Sequence, residues 1–273
     1  MHAWIDGRLL PDVTAAAVRV SDHGLTVGDG VFEAVKVVDG QPFALDRHLD
    51  RLRGSARGLG LPELDEPLVR AGIAAVLGEQ HLPLGRLRIT MTGGPAPMGS
   101  GRGDAAPTVI VVADPMQPWA PTTAVATVRW PRNERGALAG LKTTSYAENV
   151  VALAEAQRRG ASEAVFANLV GDLCEGTGSN VFYVVDGELR TPTLASGCLA
   201  GITRALVLEW YGGREVDEPI ATVLEADEVF LASTTRDVQA VSRWDDHELS
   251  APGPVTRAVQ QVWAEREPSL LGV

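Results

Sequence analysis

Two strand-like runs meet at Asp39-Gly40 in VFEAVKVVDGQPFAL, and the same pattern returns at Asp186-Gly187 in NVFYVVDGELRTP. An Asp-Gly pair between apolar runs sets a tight hairpin, because both turn positions need positive φ. Each stretch therefore commits its part of the chain to antiparallel pairing. Helical periodicity lies between and beyond them. In LDRHLDRLRGSARGLGL, Leu45, Leu49, Leu52, Ala56 and Leu59 recur at spacings of four and three, which predicts an amphipathic helix. EPLVRAGIAAVLGEQ, ENVVALAEAQRRG, GITRALVLEWYGG and PVTRAVQQVWAER predict four more, while AWIDG, LRITMT, TVIVVA, AVATVRW, SEAVFAN and DEVFLAST read as strands. Hairpins mixed with helices favour α+β layering over a doubly wound parallel sheet.

A chain of 273 residues exceeds one average domain. Three prolines break the periodicity in DPMQPWAPTTA, so the expected organisation is a small domain over 1–114, a linker over 115–124 and a larger domain over 125–273. GGPAPMGSGRGDAAP is too long for a simple turn, and loops of that length are often functional. No apolar run approaches the ~18 residues of a membrane span. MHAWIDGRLL lacks the basic start and apolar stretch of a signal peptide, and Cys174 and Cys198 form no disulfide framework or metal-ligand spacing. A cytoplasmic protein without a membrane partner is expected. The net charge of −11 argues against a nucleic-acid surface, though a local cup of donors can still hold a small anion.

Of the 24 basic residues only Lys36 and Lys142 are lysine. Arginine stays charged at any working pH, whereas a partly buried lysine amine can lose its proton and act as a nucleophile. Lys36 lies in the alternating strand VFEAVKVV and reads as pointing to solvent. Lys142 lies just before a helix, in AGLKTTSYAENVV, four residues from Tyr146, one of three tyrosines. Chance survival of either lysine is the bland alternative. Glu175 opens the small-residue loop EGTGSN ahead of a strand. Its glycines would let backbone approach a planar ligand and its carboxylate could meet a ring nitrogen, although a plain surface turn has the same composition. Gly201 precedes a helix whose first-turn amides, at Ile202 and Thr203, suit an anion; an ordinary helix cap would look alike. Ser233 and Thr234 follow a strand and could close such a cup. Arg51 borders the apolar stripe of its helix and could supply the cation, or pair with Asp46 or Asp50 on the surface.

Taken together, an amine, a carboxylate and an anion cup are the protein-side needs of pyridoxal 5′-phosphate. The order and spacing of GDGVFEAVKVVDG, RHLDRLRGSA, KTTSYAENVVA, EAVFANLVGDLCEGTGSNVF, LAGITRALV and DEVFLASTTRDVQAV resemble the class IV, fold-type IV aminotransferases. That family includes branched-chain and D-amino-acid aminotransferases and 4-amino-4-deoxychorismate lyase. The resemblance implies a small N-terminal α/β domain, a larger C-terminal pseudo-barrel α/β domain and a homodimer. It implies Lys142 as the Schiff-base lysine, Glu175 against the pyridine nitrogen, and Arg51, Ile202, Thr203, Ser233 and Thr234 at the phosphate, with Ser179 and Asn180 in the cofactor loop. Phe32, Arg88, Arg102, Tyr146 and Thr235 are the implied substrate contacts. The Arg-x-His pair of D-amino-acid aminotransferases falls at Met98 and Ser100, so Arg102 or Arg88 would have to bind the substrate carboxylate. Branched-chain enzymes carry a tyrosine five residues after the lysine; here the spacing is four. Transamination of small, D-configured amino acids is the expected activity, with pyruvate-releasing aminodeoxychorismate lyase as the alternative. A silent binding protein on this fold would not be expected to keep every catalytic position.

Overall fold

The computed structural model describes residues 1–273, which form two compact units. The first contains Met1–Pro118, Leu141–Tyr146 and Leu270–Val273, and the second contains Trp119–Gly140 and Ala147–Ser269.

In the first unit a 6-stranded sheet has the order β2-β1-β6-β5-β3-β4. Its strands are β1 (His2–Ile5), β2 (Arg8–Leu9), β3 (Gly30–Val38), β4 (Gln41–Pro42), β5 (Leu84–Thr92) and β6 (Thr108–Pro115). The expected hairpin joins β3 to β4, with Asp39 at φ 49° and Gly40 at φ 77°. Helices α1 (His23–Thr26), α2 (Leu45–Gly58) and α3 (Glu66–Gly78) complete the unit. Asp65 starts α3 by accepting from the Leu68 amide. Leu45, Leu49, Leu52 and Ala56 of α2, with Val69, Ile73 and Val76 of α3, share one core with Val35, Val37, Leu87, Ile89 and Val111. Each fully buried aliphatic side chain is worth about 1.5–3 kcal/mol over its exposed state, so these stripes hold both helices to the sheet.

Strand β3 departs from the expected alternation, because both its faces are covered. Lys36 is 3 % exposed and its Nζ lies 5.4 Å from the Phe43 ring centre, so it does not point to solvent. Near its start, β3 also gains a neighbour from far along the sequence. β4 reaches only Val37 and Val38, and the open edge at Val31 bridges to Thr143.

The second unit holds a 9-stranded sheet of order β12-β11-β10-β13-β14-β7-β8-β9, with β15 on β14. These strands are β7 (Thr122–Thr127), β8 (Glu163–Ala167), β9 (Leu173–Gly176), β10 (Asn180–Val185), β11 (Glu188–Thr191), β12 (Arg214–Glu215), β13 (Glu228–Ser233), β14 (Asp237–Trp244) and β15 (His247–Glu248). The helices are α4 (Ala147–Arg158), α5 (Ile202–Trp210) and α6 (Pro254–Arg266). The second hairpin forms as expected, Val185 opposite Glu188. Two features differ from expectation. DVQAVSRW, too polar to read as a strand, is β14, antiparallel to β13 and parallel to β7. Glu175 sits in β9 rather than in a loop, because Phe166 of β8 pairs with it across an antiparallel ladder. No helix is long and apolar enough to cross a membrane.

A buried charge cluster ties α2 to β3. Glu33 is fully buried and accepts from Arg51 Nε at 2.8 Å, Arg51 Nη2 at 2.7 Å and His48 Nδ1 at 2.7 Å. Burial alone would push the Glu33 carboxyl up; the Arg51 charge and these hydrogen bonds outweigh it and hold the group down at about 2. Burial likewise pushes His48 down, against the pull of Glu33, which favours the neutral imidazole. A depressed carboxyl contributes stability above its unfolded value, near 4.5, and loses it as pH falls towards 2. Removing one partner of a buried pair costs about 3–5 kcal/mol. Glu33→Gln should therefore lower the melting temperature at neutral pH, and the gap to the parent chain should close below pH 4.5. Thermal melts across that range check it; a gap independent of pH would contradict the ion pair.

Candidate active site

Lys142 is held by backbone in the first unit. Its carbonyl accepts from the Phe32 amide at 3.0 Å, its amide donates to Ser55 Oγ at 3.2 Å, and the Thr144 amide donates to the Gly30 carbonyl at 2.8 Å. Glycine is needed at position 30, since a Cβ there would lie 2.9 Å from the Met91 carbonyl. The Thr144 and Ser145 hydroxyls both donate to the Gly28 carbonyl. The segment is thus bound on two sides, with the Lys142 Nζ 4.4 Å from the Phe32 ring centre. Tyr146 packs edge-on against that ring at 5.3 Å.

The same ring carries a second cation. The Arg88 guanidinium lies 3.8 Å from the Phe32 centre, and Arg88 Nε donates to Thr90 Oγ1 at 3.2 Å. No carboxylate pairs with Arg88. The protein packed around its guanidinium disfavours the charged form and lowers its pKa from the ordinary value. The register explains the grouping: Arg88 is opposite Ala34 and Thr90 opposite Phe32, so Arg88 and Phe32 share one face of the sheet. Arg102 is engaged elsewhere. It grips both oxygens of Asp29 and donates to the Gly60 and Leu59 carbonyls. Arg51 is oriented by its two bonds to Glu33.

In the second unit Glu175 Oε2 accepts from the Leu199 amide at 2.8 Å, and Oε1 faces Arg132 Nε at 3.3 Å. The loop after it is held from below by buried Glu163, which accepts from the Thr177 amide and hydroxyl and the Ser179 hydroxyl. Asn149 Nδ2 donates to the Thr177 carbonyl. Asn180 anchors two neighbouring segments. It pairs with Ala232, which places Ser233 at the end of β13 and Thr234 and Thr235 just beyond it. Gly201 approaches it so closely that a Cβ would stand 1.9 Å from Asn180 Oδ1. Gly201 caps α5 without a side-chain bond, and the Thr203 hydroxyl in the first turn is buried without a partner. Unpaired amides and an orphan hydroxyl converge there, which suits an anion.

The site candidates are therefore grouped within each unit: Lys142, Phe32, Tyr146 and Arg88 in one, Glu175, Ser179, Asn180, Ile202, Thr203 and the Ser233–Thr235 turn in the other. The side chains that position them were not singled out from sequence. Glu33, His48, Arg132, Asn149 and Glu163 are polar residues inside strands, helices or loops. Only the charge of Glu33, one residue from Phe32 in a strand whose one other charged residue is Lys36, gave a local signal.

The family profile described as amino-transferase class IV matches residues 30–244. The putative branched-chain-amino-acid aminotransferase of Methanocaldococcus jannaschii is 32% identical, covering 96% of this chain and 94% of its own. The D-alanine aminotransferase of Bacillus licheniformis is 30% identical, covering 95% of each. The solved 4-amino-4-deoxychorismate lyase of Pseudomonas aeruginosa superposes with a TM-score of 0.83 at 31% identity, over 96% of this chain and 98% of that one. The chain belongs to the class IV aminotransferases, enzymes that depend on pyridoxal 5′-phosphate.

Proposed function

We propose that the chain moves an amino group between small D-amino acids and 2-keto acids, with Lys142 as the proton-carrying amine and Arg88 as the carboxylate anchor. The pairing of those two groups on one ring carries this reading. Lying 3.8 and 4.4 Å from the Phe32 centre, the guanidinium and the amine can be no further apart than the sum, about 8.2 Å. A reacting contact of about 3 Å, Cα–C and C–O bonds of about 1.5 and 1.2 Å and a charge-assisted N–O contact of about 2.8 Å make a path that, bent at its tetrahedral and trigonal carbons, is shorter than that limit. One end of an amino acid can thus meet Arg88 while its α-carbon meets Lys142.

The residues present fit the cofactor. The orphan Thr203 hydroxyl and the Ile202 and Thr203 amides would hold its phosphate, with Ser233 and Thr234 as further ligands. Glu175 would meet the ring nitrogen, and Ser179 and Asn180 would shape the adjoining loop. When bound, the cofactor supplies an aldehyde and an electron-accepting ring. Lys142 would then take and return the α-proton, with the Tyr146 phenol packed edge-on against the ring that neighbours the amine. The D-configuration is supported by the likeness to the Bacillus licheniformis enzyme. A homodimer is supported by apolar side chains left open on the single chain, among them Val150, Val151 and Val170. A second reading, pyruvate release from aminodeoxychorismate, is favoured by the likeness to the Pseudomonas aeruginosa lyase. Lys142 and Glu175 would serve there unchanged.

Supplying D- or L-alanine with 2-oxoglutarate, and resolving the glutamate formed by chiral chromatography, separates the possibilities. D-glutamate and pyruvate from D-alanine are expected. Arg88→Ala should raise KM about tenfold or more with a smaller effect on kcat, the cost of one charged hydrogen-bonded contact. Turnover of the L-isomer alone would sink the D-assignment. Pyruvate from aminodeoxychorismate without any amino transfer would make the chain a lyase.

A further inference from the structure

Arg132 is the side chain through which most of the Glu175 surroundings are joined. Its Nη1 donates to Asn149 Oδ1 at 2.9 Å and to Glu148 Oε2 at 3.2 Å, and its guanidinium lies 4.1 Å from the Phe166 ring centre. Its Nε is buried and without hydrogen-bond alignment to any acceptor, yet stands 3.3 Å from Glu175 Oε1. The contact with Glu175 therefore acts through charge rather than through a directed bond. Two carboxylates compete for the guanidinium. Glu148 is 54% exposed at its side chain and Glu175 13%, so water screens the first pair far more than the second. Asn149, fixed by Arg132, also holds the Thr177 carbonyl, two residues beyond Glu175.

We propose that Arg132 is the positioning residue for Glu175, holding it as a carboxylate and aiming it at the cofactor's ring nitrogen. The inference rests on the assignment of Glu175 to that nitrogen. Arg132 would act through Glu175, the contacts of its guanidinium being with the Glu148, Asn149, Phe166 and Glu175 side chains. Its effect should be felt wherever the ring carries a nitrogen and vanish where it does not. A residue that only propped up the loop would affect every ligand of the site alike.

The test titrates the apoenzyme with pyridoxal 5′-phosphate and with the analogue in which C–H replaces the ring nitrogen. The parent chain should bind the natural cofactor more tightly. Arg132→Gln should raise the Kd for the cofactor about tenfold or more, on the scale of a lost charged contact, and change the Kd of the analogue by less than about twofold. Arg132→Lys keeps a cation without the planar fork and should lose about threefold, for the cofactor only. If the glutamine variant does not fold, the lysine variant carries the comparison. Equal weakening of both ligands, or of neither, would overturn the proposal. A parent chain that did not discriminate the two ligands would overturn the Glu175 assignment itself, and the proposal with it.

Discussion

Two backbone hydrogen bonds, from Phe32 to the Lys142 carbonyl and from Thr144 to the Gly30 carbonyl, fix the segment that carries Lys142. They close a contact across more than a hundred residues, between the start of β3 and a short segment that returns to the first unit. Once β3 is fixed there, its two faces divide the work. Val31, Glu33, Val35 and Val37 alternate with Phe32, Ala34 and Lys36 along one strand. The first set joins the core and the Arg51 pair; Phe32, from the second, meets Lys142, Tyr146 and Arg88. A slip of one residue in register would exchange the faces and lose both sets of contacts.

The distribution of cations follows the same division. Arg51 and Arg102 are bound bidentately to carboxylates, geometry that a planar guanidinium provides and an ammonium does not. Arg88 alone, among those on the first-unit site face, has an aromatic ring and a threonine in place of an acid. A guanidinium without an acid in packed surroundings is costly unless a ligand supplies the anion. Lys142 is the other cation on that ring, and a lysine amine, unlike a guanidinium, belongs to a residue type that can lose its proton.

Much of the fold was legible because its signals are local. The Asp-Gly pairs mark hairpins through the backbone they demand, and the Leu45–Ala56 stripe marks α2 through its spacing. Lys142 and Glu175 stood out by rarity and by the glycines beside Glu175. What was hidden depends on contacts distant in sequence. Glu33 finds His48 and Arg51 fifteen and eighteen residues on, and Arg132 finds Glu175 forty-three residues on. Neither pairing leaves a mark on local periodicity. Lys36 is buried against expectation for a related reason: alternation predicts which face a side chain takes, but not whether that face is covered.

The central proposal is that Lys142 binds the cofactor covalently. Reduction of the yellow enzyme with borohydride, followed by digestion and mass spectrometry, tests it directly. The account predicts a pyridoxyl group on the peptide containing Lys142 and none on the peptide containing Lys36. Label on Lys36, or an unlabelled chain, would contradict it.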